Sequence, residues 1–460
     1  MGIYVSNPFL AKKSALAGAL GTVSGTGCER ILVHLLQLGD IGGHYRRAMS
    51  HFPFPEVVER ILARYYIAGG KPTLQKFRQV PAFSLKPSRD LIELTVLASF
   101  CFVWLAKEGH DRPISVNYLE KMQMGHIYHL TGAMMADVDY VTMGAGITLQ
   151  IPAALDAIAS GGVPSYRIHV EGSKDGPKTM SFDPEAFFGK KLLPMRRPGF
   201  LPIVSTDVLA KVMVSKLLKD SVQGFVIELP TAGGHNAPPR VKGNFDETGQ
   251  PVYGPKDEVD FAKLRELGIP FWIAGSYASP EALAKAQALG AVGIQAGSLF
   301  ALSDDSGFVP AYRAEMRRQG YRGELVIRTD PRASPTGFPI KLVQIKGSMS
   351  DPVAYSKRDR ICNLSALQFL HQMESDGITL RCPSEPFGIH LRKGGKPEDT
   401  IGAVCLCNGL FAAVGLGNHG ELPAFTMGDD VSFLRHLMRD ERDSYTAADA
   451  IAWLLSGQQE

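Results

Sequence analysis

The stretch richest in chemistry is Phe225-Val226-Ile227-Glu228-Leu229-Pro230, followed at once by Thr231-Ala232-Gly233-Gly234-His235-Asn236. Apolar β-formers that empty into paired glycines read as a buried strand ending in a tight, open loop. Glycine has no Cβ, so backbone there can come close to a flat ligand. The titratable side chain in the loop is an imidazole, whose ordinary pKa lies nearest neutrality. Such a layout suits a proton-transfer residue beside a bound cofactor. Taken alone, it suits a surface turn with an incidental histidine equally well.

Two further loops bear on this one. Ile273-Ala274-Gly275-Ser276 and Gln295-Ala296-Gly297-Ser298 both follow strand-like runs, one strand–helix unit apart. Small Gly-Ser turns present backbone N–H groups and a hydroxyl to an anion. In a (β/α)8 barrel the loops after the last two strands commonly build a phosphate site. Asn117, at the end of another strand, offers an amide that meets a heterocycle edge as donor or acceptor. Gly144-Ala145-Gly146 follows a further strand and would admit a ring close to the backbone. Read singly, each of these is also an ordinary turn or cap.

The elements that must position these residues are short β-type runs separated by helical segments. The runs are Leu20–Ser24, Ile114–Asn117, Tyr140–Met143, Pro202–Ser205, Phe225–Leu229, Pro270–Ala274 and Val292–Ala296. Alternation of this kind predicts parallel pairing with crossover helices. Pro280–Leu289 shows the unit: Ser279-Pro280 starts a helix, Glu281 sits in its first turn and Gly290 stops it. The expected fold is α/β, a (β/α)8 TIM barrel over residues 1–305. An eighth strand would lie before Met1 or be the stub Gly2–Val5. Residues 40–92 and 163–200 read as insertions, the second with a hairpin of Tyr166–Glu171 and Lys178–Phe182. Residues 306–460 form a C-terminal extension that ends in a helical segment near Val431–Leu455.

Composition excludes some function classes. The chain has 460 residues, 45% of them hydrophobic, with 49 basic and 46 acidic side chains and a net charge of +3. That near-balance gives no argument for nucleic acid or an acidic membrane surface. Six cysteines in a chain of this length make no disulfide framework, and a reducing cytoplasm is expected. The longest apolar run, Leu94–Ala106, falls short of the roughly 20 residues that span a bilayer. No charged segment of a signal peptide precedes the N-terminal Ala/Leu run. There is no Gly-x-Ser-x-Gly elbow and no P-loop.

Four runs together carry a family resemblance: Val116-Asn117-Tyr118-Leu119-Glu120-Lys121, Asp139–Ile147 (DYVTMGAGI), Thr231–Arg240 (TAGGHNAPPR) and Phe271–Ser276. They resemble the nitronate monooxygenase family, formerly called 2-nitropropane dioxygenases. The similarity covers roughly residues 1–345. The AGGH element is shared with flavin-dependent enoyl-ACP reductases and separates the two poorly. The resemblance implies a TIM barrel holding FMN without a covalent link. The family's phosphate loops match Gly275-Ser276 and Gly297-Ser298, and its loop against the isoalloxazine matches Ala232-Gly233-Gly234. Its amide near the flavin matches Asn117, and its catalytic histidine matches His235. Gly144 and Ser205 join the cofactor contacts that the resemblance implies, as does the family's Met-Gly pair, on which Met1-Gly2 fall.

The implied activity is oxidation of a nitronate or similar small carbanionic substrate. The flavin takes the electrons and O2 regenerates it. One alternative is an enoyl-thioester reductase using NAD(P)H, and another is a non-catalytic flavin-binding subunit of a biosynthetic complex. There are departures from the family. The second loop reads Gly-Ser where Gly-Gly is frequent, and the third reads Gly-Ser where Gly-Thr is frequent. Most of the first strand is missing from the sequence, so either the start lies upstream or the barrel is open at that edge. An unpaired edge invites association, which makes a homo-oligomer an expectation.

Cys362, Cys382, Cys405 and Cys407 match the count of a structural zinc or iron–sulfur site. Their spacing, C-x19-C-x22-C-x-C, holds no Cys-x2-Cys pair and favours buried thiols over a metal, so none is assigned. His126 and His129 share a helix face, without a suitably spaced carboxylate. Arg46-Arg47 and Arg317-Arg318 read as solvated charges. Arg328–Gly337 is a polar, Pro-structured loop, with a place over the flavin mouth as its other use.

Overall fold

The computed structural model describes residues 2–192, 194–375 and 377–458. All seven expected runs are strands: β1 (Gly21–Ser24), β2 (Ile114–Leu119), β3 (Tyr140–Gly144), β4 (Gly199–Val204), β5 (Phe225–Glu228), β6 (Phe271–Ala274) and β7 (Gly293–Gln295). They pair in chain order, each parallel to the next. Short apolar runs suit this arrangement because a parallel sheet is covered on both faces. Thr22, Asn117, Thr142, Ile203, Val226, Trp272 and Ile294, one from each strand, line a single cavity, so the sheet curls around it. The helix Pro280–Ala288 links β6 to β7 as expected, with Ser279 Oγ accepting from Ala282 N–H at 3.1 Å.

The curl is the barrel expected from the sequence, open on one side. No eighth strand joins β7 to β1 among the described residues. Gly2–Val5 form a turn, closed by Val5 N–H donating to Gly2 O at 3.2 Å. Ser6 alone reaches the edge of β1, where its carbonyl accepts from Ser24 N–H at 2.8 Å. The helix Pro8–Leu16 then lies directly against β1. A Cβ on Gly21 would fall 2.0 Å from Ala11 O, so this position admits only glycine. The helix Ala447–Leu455 packs on the helix Pro8–Leu16 in turn.

The insertions and the tail are interwoven. Residues 40–92 supply the helices His44–Met49 and Pro55–Tyr65 and lead into Arg89–Lys107. The apolar run Leu94–Ala106 is the buried centre of that last helix. No described helix is long and apolar enough to cross a membrane. The second insertion pairs Ser165–Ile168 with Lys178–Ser181, antiparallel. The expected hairpin arm does not continue to Glu171. Val170–Glu171 instead pairs in parallel with Phe369–Gln372 of the tail, itself in a hairpin with Ile378–Arg381. Glu171 there accepts from Arg381 at 2.6 Å, an attraction that local sequence does not reveal.

The terminal segment also differs from expectation. Only Leu434–Leu437 and Ala447–Leu455 are helical, because the charged stretch between them closes on itself through Arg439 and Asp443 (2.9 Å). Val23, Phe225, Phe411, Phe433 and Leu454 belong to one continuous core, so barrel and tail share their packing.

Candidate active site

The strands and loops enclose a cavity of about 560 Å³. That falls in the usual range for small-molecule sites, about 300–1,000 Å³. The loop after β5 forms one wall and is pinned on several sides. Asn236 Nδ2 donates to Ala232 O at 2.9 Å, Asn236 N–H to Pro339 O at 2.9 Å, and Lys341 N–H to Gly234 O at 3.0 Å. Gly234 has φ +85° and open space where a Cβ would stand, as close approach of a ligand requires.

Gly233 is glycine for a further reason. A Cβ there would lie 2.6 Å from Gly428 N and Met427 C. Gly233 lines the cavity as expected, and its lack of a Cβ also makes room for the tail backbone. Residues 426–429 cross the loop here. Gly234 N–H donates to Thr426 Oγ1 at 2.8 Å, and Asp429 N–H to Thr231 O at 3.1 Å. Thr426, Met427 and Gly428 also line the cavity. No motif marks them in the sequence.

His235 stands half-buried at the cavity wall. Its Nε2 lies 2.6 Å from Ser334 Oγ, and Ser334 in turn lies 2.7 Å from Thr336 Oγ1. The loop 328–337 therefore reaches the imidazole, and its buried serine fixes the ring. Burial, with the positive charge of Lys121 adding to it, draws the His235 pKa down to about 4. The ring is neutral at neutral pH and able to accept a proton. Glu228, at the end of β5, also faces the cavity, and burial pushes its carboxyl up to about 7. A carboxylate inside an apolar run was the one sequence signal for it.

The two Gly-Ser turns follow the neighbouring strands, and Gly275 packs against Thr231 and Ala232 of the loop after β5. Gly275 has φ +110° and Ser276 φ +56°. Ala145, also on the cavity, has φ +56°. A non-glycine residue in that region costs about 1–2 kcal/mol, and such strain gathers at ligand clamps. The Ser276 hydroxyl has no protein partner among the described residues. Gly297 has open space in place of a Cβ, while Ser298 Oγ accepts from Gly428 N–H at 2.8 Å. Asn117 is buried, its Nδ2 donating to Thr142 Oγ1 at 3.0 Å.

Gly2, Asn117, Gly144, Ala232, Gly233, Gly234, His235, Gly275, Ser276, Gly297 and Ser298 thus line one cavity. Ser205 does not line it, and Met1 lies outside the described residues. The other marked side chains serve elsewhere. His126 Nε2 bonds Glu120 O at 3.0 Å. His129 Nε2 meets Glu29 at 3.0 Å, a carboxylate brought from 100 residues away. Cys28 completes a buried trio with them, but Arg30 is ion-paired to Glu29 and supplies the positive charge there. Arg317 is buried and paired with Asp304 at 2.7 Å rather than solvated. Arg46, Arg47 and Arg318 are ion-paired as well.

No protein-family model matches the chain, and no curated protein does. Among solved structures, FabK from Thermotoga maritima superposes with a TM-score of 0.46 at 14% identity, over 99% of this chain and 90% of that one. A nitroalkane oxidase from Streptomyces ansochromogenes gives 0.44 at 14% identity, over 100% and 94%. The enoyl reductase domain of MlnA, from the macrolactin biosynthesis cluster of Bacillus amyloliquefaciens, gives 0.33 at 13% identity, over 57% of each chain. These likenesses are distant.

Proposed function

We propose that the cavity holds FMN and that the chain is an FMN-dependent oxidoreductase of the nitronate monooxygenase type. The observation that carries this reading is a neutral, Ser334-bound His235 beside the open backbone of Gly234, in one cavity with two Gly-Ser turns. The residues fit the group. Gly275-Ser276 and Gly297-Ser298 would hold the phosphate, using the unpartnered Ser276 hydroxyl and the open space at Gly297. Ala232-Gly233-Gly234 would lie against the ring system and Asn117 against its heterocyclic edge, with Gly2 and Gly144 nearby.

When bound, FMN supplies the electron transfer from substrate to O2. His235 handles the proton. As a neutral imidazole it accepts the acidic proton next to a nitro group, and for a preformed nitronate it hydrogen-bonds the anion's oxygen. Ser334 holds the ring at the required angle.

The test is anaerobic mixing of the FMN-loaded chain with a nitronate and, separately, with NADPH. Bleaching of the yellow colour by the nitronate alone supports the reading. A chain that takes up no FMN refutes it. One observation favours a second reading, an enoyl-thioester reductase using NAD(P)H. Glu228, with its carboxyl near 7, is half-protonated at neutral pH and suits a proton donor to substrate carbon. Bleaching by NADPH, reversed by an enoyl thioester, supports that alternative.

A further inference from the structure

Cys362, Cys382, Cys405 and Cys407 are scattered in sequence, yet all four line one small cavity in the tail. Three separate pieces of chain bring them there. Cys362 stands in a loop, Cys382 directly follows the strand Ile378–Arg381, and Cys405 and Cys407 open the helix Leu406–Ala413. None is in a disulfide. Two of the sulfurs make hydrogen bonds: Cys362 Sγ lies 3.9 Å from Ser365 Oγ, and Cys405 Sγ donates to Ile361 O at 3.7 Å. Packing alone asks for none of this, since a buried free cysteine behaves as a small apolar side chain. Two thiols at a helix N-terminus and a convergent fourfold set are what thiolate ligands need.

We propose that Cys362, Cys382, Cys405 and Cys407 ligate an iron–sulfur cluster of the four-iron type. The width of the cage decides between a cluster and a single ion. A tetrahedral zinc, with Zn–S about 2.3 Å, holds its sulfurs about 3.8 Å apart. No three of these four sulfurs lie within 4.8 Å of one another. A cluster, whose irons are spaced by bridging sulfides, spans the wider set. Positive charge is at hand for the thiolates. Arg358, paired with Glu421 in the interior, acts on Cys405, and Lys393 acts on Cys362. The site adjoins the large cavity, because Leu367 and Cys407 line both.

The test uses the full chain, purified without oxygen, incubated with ferrous iron and sulfide, and desalted. Iron and acid-labile sulfide are then measured per chain, and an electron paramagnetic resonance spectrum is taken after dithionite reduction. About four irons and four sulfides per chain, with a cluster signal, are expected. Cys382→Ala and Cys405→Ser should each drop both counts below one, while Cys28→Ser and Cys101→Ser keep them. Thermal unfolding recorded alongside separates loss of a ligand from loss of the fold. The wild-type stoichiometry decides the matter even where a variant does not fold. Wild-type protein without iron and sulfide, one zinc per chain in their place, or a folded Cys382→Ala variant with full counts would each overturn the proposal.

Discussion

At the residue scale, the site rests on an imidazole held neutral by burial and aimed by one serine. His235→Ala should lower turnover by about 10²–10⁴-fold, the usual worth of a positioned acid–base group, while FMN stays bound. Steady-state rates and flavin content check this, and unchanged turnover would remove His235 from the mechanism. Ser276→Gly tests the strained turn. Relief of the left-handed strain should stabilise the fold by about 1 kcal/mol, while FMN binds more weakly for want of the hydroxyl. Denaturant melts and fluorescence titration with FMN read the two effects separately. His235, Ser276 and Gly297 were legible in the sequence because each closes an apolar run at a strand end. Ser334 was not, for it lies 99 residues from its partner. Gly233 was legible as a glycine of the cavity wall, but its second constraint was not, since backbone from residues 427–428 sets its size limit.

At the element scale, the segment 426–429 is the clamp that joins the loop after β5 to the loop after β7. Thr426→Val removes the acceptor of Gly234 N–H. An amide left without its partner there should cost about 1–3 kcal/mol and loosen FMN binding. A thermal melt with and without FMN checks this, and an unaltered melt would mean that the clamp is not structural. Seven strands were readable because parallel strands are short apolar runs bounded by turn residues. The clamp was unreadable because it has no periodicity and all its partners are remote. The same holds for Val170–Glu171, whose pairing strand comes from the tail rather than from its own hairpin. Pairings of that kind are chosen by packing, which neighbouring residues do not encode.

At the scale of the whole molecule, several buried groups make the fold acid-labile. Burial lowers His34, His126 and His235 from 6.5 to about 4. Between those values the unfolded chain takes up protons that the folded chain refuses, so stability falls as pH drops from about 6.5 to about 4. Glu29 extends the trend. Burial would raise its pKa, but Arg30 and His129 outweigh that and hold it near 2. Its contribution is present above 4.5 and is lost as pH falls toward 2. Denaturant unfolding should show a steady loss, on the order of a few kcal/mol, between pH 7 and pH 4. A flat profile would contradict the burial of these groups.

His235, the two Gly-Ser turns and residues 426–428 meet at one cavity, whose chemistry is open to a direct measurement. The full chain, loaded with FMN and freed of oxygen, is mixed with a nitronate while the visible spectrum is followed. One FMN per chain, bleached by the nitronate and restored by air, is the expected result. Failure to bind FMN, or a bound flavin that the nitronate leaves unchanged, would contradict it.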